Sequence, residues 1–191
     1  MRIVAGALKG RAIATPAGRD TRPTSDRARE AIFNLLAHAD WAPDLDGARV
    51  IDLFAGSGAL GLEALSRGAA FCLFVEQASA ARGAIRANLE AFGLFGASRV
   101  HRRSAIDLGV RPGGLSERFD IAFLDPPYGQ GLVAPALRSL IEGDWLAPTA
   151  AVIVEYGVDE APIAWPAPLT PIDLREYGAA QVAFLTIRRN T

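Results

Sequence analysis

Asp125, Pro126, Pro127 and Tyr128 follow the apolar run Phe119-Asp120-Ile121-Ala122-Phe123-Leu124, so a carboxylate, a rigid carbonyl and an aromatic ring stand together at the end of a buried strand. Two consecutive prolines hold φ at about −65° and carry no N–H, which makes the turn stiff and leaves it only acceptors to offer. The matching donor is an amino group on a flat nucleobase, with two N–H bonds and a lone pair delocalised into the ring. If Asp125 and the Pro126 carbonyl accept both hydrogens, the nitrogen can pyramidalise toward an electrophile while Tyr128 stacks on the base and holds it in line. The chemistry implied is alkylation of an exocyclic amine.

A second group of residues bears on the electrophile. Val50-Ile51-Asp52-Leu53-Phe54 reads as a parallel-sheet strand, and Ala55-Gly56-Ser57-Gly58-Ala59-Leu60-Gly61 as a glycine-rich turn that opens into a helix. Glycine at 56 and 58 permits close backbone approach to a ligand, and the helix start exposes N–H groups to an anionic one. The next strand, Phe71-Cys72-Leu73-Phe74-Val75, ends in Glu76, where a carboxylate can take both hydroxyls of a ribose. Gly56-x-Gly58-x-x-Gly61 with an acid at Glu76 also satisfies the dinucleotide fingerprint of NAD enzymes, so the loop alone does not choose. Asp52 favours S-adenosylmethionine, because an anion just before the turn repels a pyrophosphate and attracts a methionine ammonium. An oxidoreductase needs in addition a proton-relay group, and His38, His101, Lys9, Tyr128, Tyr156 and Tyr177 keep that alternative open.

These residues carry a resemblance. Arg22-Pro23-Thr24 with Asp26, Arg29-Glu30 and Phe33-Asn34-Leu35, then Asp52 to Gly58 with Glu63-Ala64-Leu65-Ser66-Arg67-Gly68-Ala69, then Asp125 to Tyr128, resemble the RsmD family over nearly the whole chain. The resemblance implies an S-adenosylmethionine-dependent methyltransferase acting on the N2 amine of one guanine in bacterial 16S ribosomal RNA. The Asp-Pro-Pro-Tyr turn is shared with enzymes that methylate adenine N6 and cytosine N4, which makes an adenine-N6 enzyme the nearest rival. The candidate catalytic residues are Asp125, Pro126, Pro127 and Tyr128. The candidate cofactor residues are Asp52, Phe54, Gly56, Ser57, Gly58, Gly61, Glu76, Gln77, Ser104 and Ala105. Ser104-Ala105 is a departure, since many relatives of this fold place Asp-Ala there to meet the adenine amine. The scheme requires no metal.

The elements that would position these groups alternate. Strands are expected at Val50–Phe54, Phe71–Glu76, Arg99–Arg102, Phe119–Asp125 and Ala151–Glu155, and helices from Leu60, over Ser79–Phe92 and over Leu132–Ile141. Such alternation means an α/β protein whose mostly parallel sheet has helices on both faces, with ligands beyond the carboxyl ends of the strands. The resemblance makes this a Rossmann-like class I methyltransferase fold with a seven-stranded sheet. Leu174–Tyr177 and Gln181–Ile187 read as a closing antiparallel hairpin after the loop-forming run from Pro162 to Pro171. Ahead of the sheet, Arg2–Gly6 and Gly10–Ala14 suggest a short β-hairpin, so residues 1–20 are expected as an extension and 21–191 as the methyltransferase domain. Thr24 or Ser25 can cap a helix whose stripe is Ala28, Ala31, Ile32, Leu35 and Leu36.

With 191 residues, half of them apolar, the chain can bury one substantial core. No segment approaches the roughly 18 apolar residues of a membrane span and the start lacks a secretory signal, so a cytoplasmic protein without a membrane partner is expected. The single cysteine, Cys72, excludes an intrachain disulfide and reads as buried filler. The formal net charge is −1, but residues 1–35 hold seven basic side chains against three acidic, +4 in all, which leaves −5 for the rest. That asymmetry suits an N-terminal element gripping a phosphate backbone, with Arg2, Lys9, Arg11, Arg22, Thr24 and Arg29 as candidate RNA contacts. For Arg22 and Arg29 an intramolecular ion pair competes with that role. The expected partner is ribosomal RNA, naked or within an assembled or assembling small subunit, and the protein is expected to act as a monomer.

Overall fold

Short runs rich in Val, Ile, Leu and Phe form the strands of one seven-stranded sheet in the computed structural model, which describes residues 1–16, 26–115 and 117–187. In chain order the elements are α1 (Asp26–His38), β1 (Arg49–Leu53), α2 (Ala59–Ser66), β2 (Phe71–Val75), α3 (Ser79–Phe92), β3 (Ser98–His101), β4 (Phe119–Leu124), α4 (Val133–Glu142), β5 (Leu146–Gly157), β6 (Leu169–Tyr177) and β7 (Ala180–Ile187). The sheet order is β3-β2-β1-β4-β5-β7-β6. β1 to β5 are mutually parallel, and β7 runs antiparallel between β5 and β6. The order reverses between β1 and β4, which opens a crevice at their carboxyl ends.

Strand alternation divides the core into two layers. Val50, Cys72, Phe74, Ile121, Phe123 and Ile153 pack beneath α1, α2 and α3, while Leu53, Val75, Leu124 and Val154 pack on the α4 side with Leu137 and Trp145. Phe33 is fully buried against Phe123 with ring centroids 5.4 Å apart.

Every residue of α2 from Leu60 to Ser66 is buried, so this helix needs cover on its outer side as well. The N-terminal hairpin supplies it. Its two arms meet at one bridge, Arg2 with Ala12, and Ile3 and Ile13 enter the core. Glu63, fully buried, accepts the N–H groups of Val4 at 2.8 Å and Ala5 at 2.9 Å, and pairs with Arg67 at 2.8 Å and Arg29 at 3.5 Å. Ser66 accepts the Leu8 N–H at 3.0 Å and donates to the Ala5 carbonyl at 2.6 Å. Asn88 on α3 clasps both the N–H and the carbonyl of Ala14, at 2.8 and 3.0 Å.

Two strands differ from expectation. β5 begins at Leu146, because Phe119 pairs with Leu146 while Ile121 pairs with Ala151, and the segment around Pro148 bulges between these contacts. β6 begins at Leu169 and runs through Pro171, inside the stretch expected as loop. It is the sheet's edge strand, where a residue without N–H is tolerated, and its register shifts between Pro171 and Asp173.

Candidate active site

Ladder register sets which residues meet at the crevice. Leu53 on β1 pairs with Val75 on β2 and with Leu124 on β4, and Leu124 pairs with Val154 on β5. The next residues along each strand, Glu76, Phe54, Asp125 and Glu155, therefore emerge side by side at strand spacings of about 4.8 Å. In the alternation that turns Ile121 and Phe123 toward α1–α3, position 125 is next on that face, and position 155 succeeds Ala151 and Ile153 in the same way. The Asp-Pro-Pro-Tyr turn and the glycine turn thus stand on either side of the switch point. Asp125 is half-buried, Pro126 buried, Pro127 exposed and Tyr128 half-buried.

The glycine turn is held by acids from below. Phe54 has φ 58° and Gly56 φ 56°, so a bulky side chain sits in the left-handed region at the lip of the crevice, a costly conformation that the surrounding bonds must impose. Glu76 imposes part of it, taking the Gly56 N–H on one oxygen at 2.9 Å and the Ala78 N–H on the other at 2.7 Å. Asp52 accepts the Gly61 N–H at 3.0 Å and pins the first turn of α2. Gly61 is required by packing, because a Cβ there would lie 2.4 Å from Phe74 Cε1 and 2.5 Å from Cys72 Sγ. Asn88 donates to the Ser57 carbonyl at 3.1 Å, and the Ser57 hydroxyl faces Met1 Sδ at 3.8 Å.

Asp52 is 2 % exposed, and burial pushes its carboxyl up to about 8, with the Gly61 N–H pulling down and the Glu76 charge pushing further up. Among the described residues no cation lies within ion-pair distance of it. A buried carboxylate of this kind is the electrostatic complement of a ligand ammonium or sulfonium. Beyond β2 and β3, Gln77, Arg102, Arg103, Ser104 and Asp107 line an open polar cleft of about 400 Å³, the size of a nucleoside-scale ligand. Acidic strand ends, a cramped glycine turn and this cleft together suit a ligand that carries a cation, a ribose and a base. The Ala105 side chain is buried, in the same core layer as Leu53 and Leu73, which leaves its backbone to serve the cleft.

The expected RNA contacts separate. Arg29 is a correction: it is fully buried, donating to Asp26 at 2.8 Å and to the Arg2 carbonyl and pairing with Glu63, so it holds the hairpin to the domain and cannot reach an RNA. Arg22 and Thr24 lie outside the described residues. Lys9 is exposed in the hairpin turn, which Ala7 ties to Ser66 at the far end of α2. Arg11 binds the Ala91 carbonyl at 2.7 Å and lies over Phe92 at the far end of α3. Neither is brought to the crevice. Arg2 is exposed.

Glu155 is a site residue that sequence reasoning missed. It is 7 % exposed and accepts the Tyr128 hydroxyl at 2.6 Å. Its signal was available: like Glu76 and Asp125, it is an acid directly after an apolar strand run.

A mostly parallel sheet with a carboxyl-edge crevice, a glycine turn after β1 and an antiparallel closing hairpin defines a class I methyltransferase fold. The solved Escherichia coli protein yhhF superposes with a TM-score of 0.82 at 34 % identity, over 98 % of this chain and 97 % of that one. TrmN from Thermus thermophilus shares the fold, with a TM-score of 0.66 at 24 % identity over 84 % of this chain and 48 % of that one. The family model described as conserved hypothetical protein 95 matches residues 1–186. The "Ribosomal RNA small subunit methyltransferase D" of Escherichia coli K12 is 36 % identical, over 99 % of this chain and 90 % of its own length. The protein of the same name from Haemophilus influenzae is 35 % identical, over 84 % and 80 %. The chain belongs to this family, the RsmD family that its motifs resemble.

Proposed function

We propose that this chain transfers a methyl group from S-adenosylmethionine to the N2 amine of a guanine in small-subunit (16S) ribosomal RNA. The observation that carries the reading is the register of β1 with β4, which brings the acceptor-only turn at Asp125 beside the glycine turn. Family membership favours a ribosomal RNA substrate, and S-adenosylmethionine over NAD.

When bound, S-adenosylmethionine supplies an electrophilic methyl on a sulfonium. The chain does the rest by placement. The Asp125 carboxylate and the Pro126 carbonyl accept the amine hydrogens and turn the nitrogen lone pair outward. Tyr128 stacks on the base, and Asp125 can take the proton that the nitrogen sheds once it is alkylated. Guanine N2 in a duplex lies in the minor groove, so the target is an unpaired or everted base. Arg2 and, beyond the described residues, Arg22 and Thr24 remain proposed RNA contacts; Lys9 and Arg11 would serve only an RNA that wraps onto the hairpin face. Among the described residues no helix is long and apolar enough to cross a membrane. A cytoplasmic monomer acting on an assembling subunit is the setting we propose.

The test offers tritiated S-adenosylmethionine with naked ribosomal RNA and with small subunits from unmethylated cells. Label that resists DNase, yields to RNase and runs as N2-methylguanosine supports the reading. Label in N6-methyladenosine overturns its choice of base.

A further inference from the structure

Three acids line the catalytic edge where strands end or leave the core: Glu76, Asp125 and Glu155. The scheme above uses the first two. Glu155 stands next to Asp125 in the row, because Leu124 pairs with Val154, and alternation puts both on the same face of the sheet. Its carboxylate accepts the Tyr128 hydroxyl at 2.6 Å. The Tyr128 ring rests in turn on the backbone of Gly157, where a Cβ would come within 3.3 Å of Cδ2.

The geometry of the base bears on this position. Guanine presents its N2 amine and N1–H side by side, both donors, with the O6 acceptor beyond them, whereas adenine sets its N6 amine beside the bare lone pair of N1. An edge made of Asp125, the Pro126 carbonyl and Glu155 contains acceptors only, so guanine satisfies it and adenine would push a lone pair against a carboxylate. We propose that Glu155 reads the base, accepting the N1–H of the guanine whose N2 amine Asp125 holds, through a carboxylate that it shares with the Tyr128 hydroxyl. A carboxylate accepts at about four positions, enough to serve protein and base together. The inference rests on the guanine-N2 reading and sharpens it, since the Asp-Pro-Pro-Tyr turn by itself suits adenine equally well.

The test uses small subunits assembled from ribosomal RNA in which the methylated nucleotide, once mapped, is either guanine or 2-aminopurine. The analogue keeps the amine on the same carbon, but its N1 is a bare acceptor and it lacks O6. The wild-type protein prefers guanine in kcat/KM by about 100-fold or more. Glu155→Gln keeps an acceptor for Tyr128 and can offer an N–H to bare N1, so the preference falls by at least about tenfold, chiefly through faster methylation of the 2-aminopurine particle. A wild type indifferent to the exchange, or a stably folded Glu155→Gln variant with unaltered preference, overturns the proposal and leaves Glu155 as a prop. Tyr128→Phe is the second arm, independent of whether the Gln variant folds. If Glu155 reads the base, Tyr128→Phe keeps the guanine preference to within about threefold; if Glu155 only props the ring, the preference collapses with the hydroxyl. Failure of the guanine-N2 reading looks different, because the wild type would then leave the target amine unlabelled in both particles.

Discussion

Two carboxylates on the same face of the sheet, Glu63 under the N-terminal hairpin and Asp52 under the glycine turn, are both buried and are treated oppositely. Glu63 is saturated: two backbone N–H groups and two arginines surround it, and the result is a clasp that fixes residues 1–16 onto α2. Asp52 has the Gly61 N–H and no cation among the described residues, and its carboxyl is pushed up to about 8. Charge answered within the fold is architecture. Charge left for an incoming cation to answer stores a binding preference and lowers the free protein's stability.

The comparison breaks most visibly at the reacting edge. Asp125→Ala should lower methyl transfer by at least about 1,000-fold, roughly 4 kcal/mol of barrier, while calorimetry finds S-adenosylmethionine binding largely intact. Near-normal turnover would remove Asp125 from the chemistry. Glu63→Ala should cost about 3–5 kcal/mol in denaturant unfolding, because Arg29 is left buried with only the exposed Asp26 as counter-charge and the Val4 and Ala5 N–H groups lose their acceptor, and amide exchange should accelerate over residues 1–16. A loss below about 1 kcal/mol would mean that Ile3, Ile13 and the bonds to Ser66 and Asn88 hold the hairpin without Glu63. Gly61→Ala should cost about 1–3 kcal/mol by overpacking against Phe74 and Cys72, read as a lower Tm.

The pH dependence sharpens the contrast further. The folded protein keeps the Asp52 proton to about 8, whereas the unfolded chain releases it near 3.8. The stability this group lends the free protein is therefore full below about pH 4 and is lost as the pH rises through about 8. A ligand cation beside Asp52 prefers the ionised form, so affinity for S-adenosylmethionine should climb by up to about tenfold per pH unit from about pH 6 and level off above about 8. Asp52→Asn should flatten that profile; an unchanged slope in calorimetry would place the cation elsewhere. Smallest of all, Tyr128→Phe keeps the stacking ring and loses one hydrogen bond, and should slow methylation of the natural guanine by no more than about tenfold, about 1.4 kcal/mol.

Much of this was legible in one dimension. The apolar runs named β1, β2 and β4, the spacing of Gly56, Gly58 and Gly61 announced a crowded turn, and two prolines after Asp125 declared a rigid acceptor. These are matters of local chemistry, since proline lacks an N–H and a strand tip exposes the residues just beyond it. Arg29 was misread because an arginine in a basic N-terminal segment looks the same whether it faces solvent or a buried Glu63 far along the chain. Pro171 was misread for a related reason: whether a proline stops a strand depends on whether its missing N–H faces a neighbour, and only the sheet order shows that β6 has an open edge. Glu155 was passed over because an acid after an apolar run acquires meaning only from the strand that pairs beside it.

By itself, the amino-acid sequence determined the parts: which runs become strands, which turns are stiff, which side chains bring acceptors and which helix must be buried all round. Tertiary structure alone decided the partnerships. Asp125 and Glu155 are 30 positions apart and meet because β4 and β5 pair in register, while Glu63 finds Val4 and Ala5 across 59 and 58 positions because α2 needs a cover. The physical reason is that side-chain chemistry is a local property, whereas desolvation and charge pairing are set by whatever the folded chain brings within a few ångströms.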